Sequence, residues 1–325
     1  MSGGKRRIVV CGAGIAGVAA AYHLAVVHGQ QDVVLLEADN PLSLTSDKST
    51  ECYRNWWPGP SSAMTAYMNH SIDLMEDIAQ ATGNRIGMNR RGYLFASADA
   101  SKAGFLHEMA SLAERHGAGP VRVHDKGSAS YEPSPFDGFD FPLTGADIIT
   151  DEALIRHHFP YLAPSTKVVA HARRAGWLSA QQLGMVMLEA AREKGVKLLR
   201  GRLVAAETNG NRLAKVIVEQ KGERQKLEAT DLVLAAGPLL KEVASAVGLD
   251  LPVYAERHYK ISIPDTQGIV GRNAPMLIWL DPQTLPWGED EREMLASEPE
   301  TRWLTEPFPA GVHGRPDGAG SATTL

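Results

Sequence analysis

The sequence Gly12-Ala13-Gly14-Ile15-Ala16-Gly17 directly follows the apolar run Arg7–Cys11, and this junction constrains the fold more than any other feature. A short β-branched run of that kind reads as a strand buried on both faces, as in a parallel sheet. Beyond the glycines, Val18–Ala25 reads as a helix dense in small residues, with Gly29 as its terminator. Asp32–Leu36 is then a second buried strand, ending at Glu37. The spacing has a physical reason. Gly12 permits the tight strand-to-helix turn, Gly14 lets backbone approach a pyrophosphate, and Gly17 lets the helix pack closely on the strand. Ile15 and Ala16 begin the helix, whose free N–H groups and partial positive charge attract phosphate. Glu37, with Ala38 beside it, lies twenty residues after Gly17, where a carboxylate accepts hydrogen bonds from ribose hydroxyls. An acid there disfavours a 2′-phosphate, so the expected ligand is FAD or NAD(H) in preference to NADP(H).

Composition narrows the remaining classes. A chain with 44% hydrophobic and 22% charged residues is not a disordered one. Lys and Arg total 33 against 38 Asp and Glu, a net charge of −5, and no basic block interrupts the sequence. That argues against a nucleic-acid or anionic-membrane partner. No stretch approaches the ~18–20 consecutive apolar residues of a membrane span. The basic start Lys5-Arg6-Arg7 leads into Ile8-Val9-Val10-Cys11 and glycines, not into the leucine-rich core of a secretion signal. Two cysteines, Cys11 and Cys52, make no disulfide framework. The expectation is a soluble cytoplasmic protein without an integral membrane segment.

After Glu37 the chain does not continue with the repeated strand–helix units of a nicotinamide dehydrogenase. A polar stretch, Thr45–Glu51, leads to Cys52-Tyr53-Arg54-Asn55-Trp56-Trp57. Residues 61–82 show helical spacing (Met64, Met68, Ile72, Met75, Ile78, Ala79) and stop at Gly83. Residues 127–147 lack periodicity and read as an insertion or interdomain loop. Ser179 caps a helix running to Lys194, and Gly195 ends it. Lys197–Leu199 and Leu203–Glu207 read as strand, Asn209-Gly210-Asn211 as a hairpin turn, and Leu213–Glu219 as the return. Asp231–Gly237 is a buried strand ending in Ala235-Ala236-Gly237.

An N-terminal dinucleotide βαβ unit, a meander and a late strand ending in Ala-Ala-Gly resemble the FAD-dependent oxidoreductases of the glycine/D-amino-acid oxidase superfamily. The sarcosine and dimethylglycine oxidase or dehydrogenase branch looks nearest. The matching residues are Gly12–Gly17 with Glu37, the Thr45–Thr50 loop, Arg54, Gly176–Ser179 heading a helix, Gly195–Leu199 and Val233–Gly237. The resemblance implies an α/β fold with a Rossmann-like FAD-binding domain and β-meander. It also implies an α+β substrate domain with a mixed or antiparallel sheet. The FAD domain would be discontinuous, residues 1–90 with 150–247, and the substrate domain would take 91–149 and 248–325. By the same resemblance Val204 sits near the adenine, Ala236 and Gly237 permit close approach to the cofactor, and Ser46, Lys48 and Ser49 lie along the pyrophosphate and flavin edge. Read without the family, Ser46–Thr50 is a solvated loop.

The implied reaction is oxidation of a C–N bond in a small amine or amino acid by hydride transfer to flavin, with O2 or another acceptor taking the electrons. A carboxylate on the substrate needs an Arg fork or Lys. Arg54 is the leading candidate, with structural ion pairing as its competing role. Trp56 and Trp57 either wall the site or fill the core or an interface. A second catalytic set is Glu256-Arg257-His258-Tyr259-Lys260, which in the family crosses into the substrate sheet. Strand alternation puts His258 and Lys260 on one side and Arg257 and Tyr259 on the other, while the competing reading is a charge-protected edge strand. His157-His158 and His313 lack carboxylate, His or Cys partners at ligand spacing, so no metal site is expected. Cys11 reads as an apolar filler.

Two other readings stand beside this one: a nicotinamide-dependent dehydrogenase, and a truncated, non-catalytic FAD-binding protein. The second arises because the superfamily usually ends in a further glycine-rich turn and helix that close on the flavin. Here Pro309–Gly320 resembles only the approach to that segment.

Overall fold

Ile8–Cys11 is buried along its whole length because both its edges are paired in parallel, Val10 lying opposite Leu35 on one side and Val233 on the other. The computed structural model describes residues 6–126, 131–317 and 323–324. They divide into two compact units, one holding the chain up to residue 51 with 85–87 and 178–260, the other holding 52–84, 88–177 and the chain from 261 onward. These breaks do not follow the family-derived boundaries at 90 and 150. Cys52–Arg54 pairs antiparallel with Ala175–Trp177, which draws both segments into the second unit.

In the first unit a four-stranded parallel sheet has the order Asp231–Leu234, Ile8–Cys11, Val33–Glu37, Lys197–Arg200. The helix Ile15–Tyr22 continues as a π-type turn over His23–Val27 and packs against the helix Ala180–Glu193. The Ser179 hydroxyl caps that second helix, accepting from the Gln182 N–H at 3.2 Å. An antiparallel meander of Arg202–Asn209, Arg212–Gln220 and Glu223–Glu228 covers the other face, turning at Gly210 and at Lys221-Gly222. Val9, Val34 and Leu36 of the sheet meet Leu203, Val216 and Val218 of the meander. Each such side chain contributes roughly 1.5–3 kcal/mol on burial.

Two elements of this unit differ from expectation. Glu256–Lys260 is not a strand, since residues 249–262 hold no regular structure and no sheet pairs with them. Tyr254 and Tyr259 are 87% and 85% exposed, so the alternation read from sequence has no faces to sort. Thr45–Lys48, read as loop, closes into one helical turn.

The second unit is built on a six-stranded mixed sheet ordered His313–Gly314, Met276–Trp279, Tyr93–Ser97, Val168–Ala172, Ala146–Ile149, Val121–His124. Of the segment 127–147 read as irregular, the last residues belong to the strand that begins at Ala146, and Gly127–Ser130 lie outside the described residues. Period-two alternation sends Tyr93, Ala170 and Ile148 to one face, under the helix Lys102–Arg115. Leu94, Val169 and Ile149 go to the other, under Glu152–His158. A buried ion network crosses the sheet: Asp147 accepts from Arg122 (2.7 Å), His124 (2.8 Å) and the fully buried Arg173. A carboxylate held by so many donors stays ionised, and its pKa lies well below the usual range despite burial. The helix Ala63–Ala81 and a small sheet of Ile263–Pro264, Pro316–Asp317 and Thr323–Thr324 complete this unit.

Candidate functional site

The three glycines of the first turn do different work. Gly12 has φ +102°, and a Cβ there would lie 2.4 Å from the Ala235 carbonyl oxygen. A Cβ on Gly17 would lie 1.8 Å from the Gly12 oxygen, so helix and strand touch backbone to backbone. Gly14 differs. Its backbone is extended (φ −70°, ψ −179°), a conformation open to any residue, and a Cβ would meet only the Ser46 hydroxyl oxygen at 3.4 Å. The missing side chain at Gly14 therefore leaves open space, and Gly14 heads a helix with no side-chain cap. Helix geometry leaves the first N–H groups, those of Ile15, Ala16 and Gly17, without intrahelical acceptors. The Ile15 N–H donates to Ser46 Oγ at 2.9 Å.

Glu37 closes the other side of this turn. Its Oε2 accepts from the Ala13 N–H at 2.7 Å and its Oε1 from the Asp39 N–H at 2.9 Å. Two backbone donors thus fix the carboxylate while each oxygen keeps a further lone pair for a ligand hydroxyl. Gly12, Gly14, Ile15, Ala16, Glu37 and Ala38 line a single cleft, joined there by Ser46, Ala236 and Gly237. Cys11 lines it as well. Its buried thiol is pushed up to about 11, first by burial and then by the Glu37 charge, so it stays protonated and apolar in character.

Four residues named from sequence are not among the cleft's lining. Gly17 is occupied in helix–strand packing. Lys48 is exposed and pairs with Asp47. Ser49 is exposed too, accepting from the Glu51 N–H at 2.9 Å through its hydroxyl. Val204 gives way to its neighbours Arg202 and Leu203. Sequence reasoning missed these two, along with Leu42. Leu42 has φ +61° and donates its N–H to the Ala13 oxygen at 2.9 Å, a loop conformation no local pattern announces.

The other catalytic candidates separate clearly. His258 is exposed, 3.7 Å from Glu256, and the Lys260 ammonium donates to the Ser49 carbonyl at 3.0 Å. They are not among the residues lining the cleft. In the second unit, the Arg54 guanidinium lies over the Trp57 ring, 4.0 Å from its centroid, and 5.3 Å from that of Tyr93. The Trp57 Nε1–H donates to the Arg54 carbonyl at 3.0 Å. Among the described residues, no carboxylate forms an ion pair with Arg54, in contrast to Arg173 and Arg174, which are both ion-paired. The Tyr93 phenol is buried and faces both Arg54 and Cys52; burial raises its pKa, so it remains a neutral donor. Trp56 is core, packed on Phe95 at 4.7 Å between ring centroids. Among the described residues no group of three or more His, Cys, Asp or Glu side chains could hold a metal ion, and no helix is long and apolar enough to cross a membrane.

Comparison with known proteins agrees with this geometry. The family described as DAO, FAD dependent oxidoreductase, matches residues 7–288. The chain is similar to a D-amino acid dehydrogenase of Azorhizobium caulinodans, 25% identical over 288 residues that make up 79% of this chain and 67% of that protein. It is also similar to a 4-methylaminobutanoate oxidase (formaldehyde-forming) of Paenarthrobacter nicotinovorans, 24% identical over 81% of this chain and 28% of that protein. Among solved structures, L-proline dehydrogenase from P. horikoshii superposes with a TM-score of 0.62 at 18% identity, covering 85% of this chain and 64% of that one. Glycine oxidase from Bacillus cereus does so with a TM-score of 0.62 at 14% identity, covering 85% and 66%. At such identities the superpositions speak for the fold.

Proposed function

The chain belongs to the FAD dependent oxidoreductase family, and from that premise we propose that it binds FAD in the cleft of its first unit and oxidises a C–N bond of a small amine or amino acid. The observation that carries the cofactor assignment is Gly14. Its absent side chain leaves open space at a helix N-terminus, beside a carboxylate held by two backbone amides. That is the donor and acceptor set a dinucleotide requires: free N–H groups for the pyrophosphate and an acid for a ribose hydroxyl. In this reading the first unit is the FAD domain, with Ala236 and Gly237 presenting small residues to the cofactor.

When bound, the flavin supplies hydride acceptance from the substrate α-carbon, and the protein supplies binding and orientation. Arg54 binds the substrate carboxylate, since its guanidinium is half-buried and carries no carboxylate partner among the described residues. The neutral Tyr93 hydroxyl adds a donor to the same anion. Trp57 shields the pair from water, which strengthens the charge–charge attraction. His258 and Lys260 are not carried forward, being exposed and off any strand.

The test is direct. Protein purified with FAD is expected to be yellow and to bleach anaerobically with members of a panel of D-amino acids, glycine, proline and N-methylated amino acids. Return of colour in air would identify O2 as an acceptor. A colourless protein that gains no flavin spectrum on addition of FAD would sink the assignment. A yellow protein that no amine bleaches would leave a binding module in place of an enzyme.

A further inference from the structure

We propose that Trp57 is a positioning residue that holds the Arg54 guanidinium in a fixed, partly dehydrated orientation, and that this makes the Arg54 site select carboxylate-bearing ligands over neutral ones. The inference rests on the reading of Arg54 as the carboxylate anchor and deepens it. Arg54 ends a three-residue strand, Cys52–Arg54, and its long side chain has four rotatable bonds that the strand does not restrain. The restraint comes from three residues on. The Trp57 indole N–H is bonded to the Arg54 carbonyl, and the same ring lies against the Arg54 guanidinium at 4.0 Å. One side chain thereby ties both the backbone and the charged end of Arg54. Tyr93, 3% exposed and anchored in the sheet core, supplies a second ring at 5.3 Å.

A guanidinium with rings against it keeps its N–H fork for an in-plane acceptor, and a planar carboxylate matches that fork with two parallel hydrogen bonds. The aromatic contact also satisfies the cation without neutralising it. Three other arginines of this unit are each held by carboxylates. Arg173 meets Asp147, Arg174 meets Asp73 and Glu76, and Arg90 meets Glu76. Arg173 also lies against a ring, that of Tyr131 at 4.6 Å, but among these four only Arg54 has rings and, among the described residues, no carboxylate against it, which leaves its full charge for a ligand.

The experiment measures calorimetric binding of benzoate and of benzamide, its neutral counterpart, to FAD-loaded protein. Arg54→Ala and Trp57→Leu are each expected to weaken benzoate about tenfold, the size of a partly desolvated cation–π contact, while benzamide binding stays within about twofold. Trp57→Phe, which keeps a ring, should recover most of the benzoate affinity. Where Trp57→Leu does not fold, Trp57→Met fills the space without a π face and gives the same readout. If Arg54→Ala leaves benzoate binding unchanged, or wild-type protein binds no benzoate, the anchor reading itself falls. If Arg54→Ala weakens benzoate but Trp57→Leu does not, the anchor stands and the positioning role is overturned. Equal loss of benzoate and benzamide in Trp57→Leu would overturn it as well, marking Trp57 as structural only.

Discussion

Replacing Gly14 by Val separates ligand binding from folding at one atom. The extended backbone at Gly14 accepts valine, and its Cβ meets only Ser46 Oγ at 3.4 Å, an ordinary contact distance. The change at a helix N-cap costs no more than about 1 kcal/mol. The branched side chain would, however, fill the space through which a pyrophosphate reaches the helix N–H groups. Ligand that binds only the folded state stabilises it by about 2.7 kcal/mol at a hundredfold excess over Kd. For a chain of this size that is about 5 °C in Tm. The assay is a thermal melt with and without FAD, read beside the visible flavin spectrum. Wild type should gain those degrees with FAD, and Gly14→Val should melt within about 2 °C of apo wild type with no gain. Gly17→Ala is the control, because its Cβ would lie 1.8 Å from a backbone oxygen and must push helix from strand at a cost of about 3 kcal/mol or more. Normal flavin occupancy in Gly14→Val would show that the cofactor lies elsewhere. An unfolded apo Gly14→Val would refute the claim that this position is free of packing demands.

Glu37→Ala is expected to weaken FAD at least about tenfold and to loosen the turn, since the Ala13 and Asp39 N–H groups lose their acceptor; fluorescence titration of FAD checks it, and wild-type affinity would remove Glu37 from the site. Arg173→Met should destabilise the protein by about 3–5 kcal/mol in urea, because Asp147 stays buried with part of its compensation gone; a loss under about 1 kcal/mol would show that Arg122 and His124 suffice. The fully buried His171 sits 2.8 Å from the Arg91 carbonyl through Nε2 and 2.8 Å from the Tyr131 hydroxyl through Nδ1. A carbonyl only accepts, so Nε2 donates and Nδ1 accepts, and the ring is neutral. Burial, reinforced by Arg173, holds its pKa down to about 3 against 6.5 in the unfolded chain. The unfolded state therefore binds the extra proton first. Stability is complete above about pH 6.5 and declines as pH falls toward 3, by at most about 1.4 kcal/mol per pH unit. Urea midpoints that stay flat from pH 7 to 4.5 would contradict this.

The turn that lines the cleft was legible because it is local. Strand, glycine turn, helix and acid fall within thirty residues, from Ile8 to Glu37, and each glycine answers a constraint set by its immediate neighbours. Arg54 and Trp57 were legible as candidates for the same reason, standing three residues apart. Where reasoning failed, the deciding contacts were distant in sequence. Glu256–Lys260 has the residue pattern of an edge strand, yet no strand pairs with it. Arg202, not Val204, lines the cleft, since the register of Arg202–Asn209 is set by pairing with Arg212–Gln220 and by a bulge between Leu203 and Ala205.

By itself, then, the sequence determined a parallel strand–helix–strand unit, the close backbone packing at Gly12 and Gly17, and the family. These follow from backbone sterics and from period-two and helical patterning, which act over a few residues. Only the tertiary structure decided which of four arginines are ion-paired. Arg54, Arg90, Arg173 and Arg174 look alike in the sequence. Asp147 and Glu76 reach the last three from elsewhere in the chain, while Arg54 meets the rings of Trp57 and Tyr93. A charge is silenced or spared by what packs within a few ångströms of it, and that is settled only when remote segments come together.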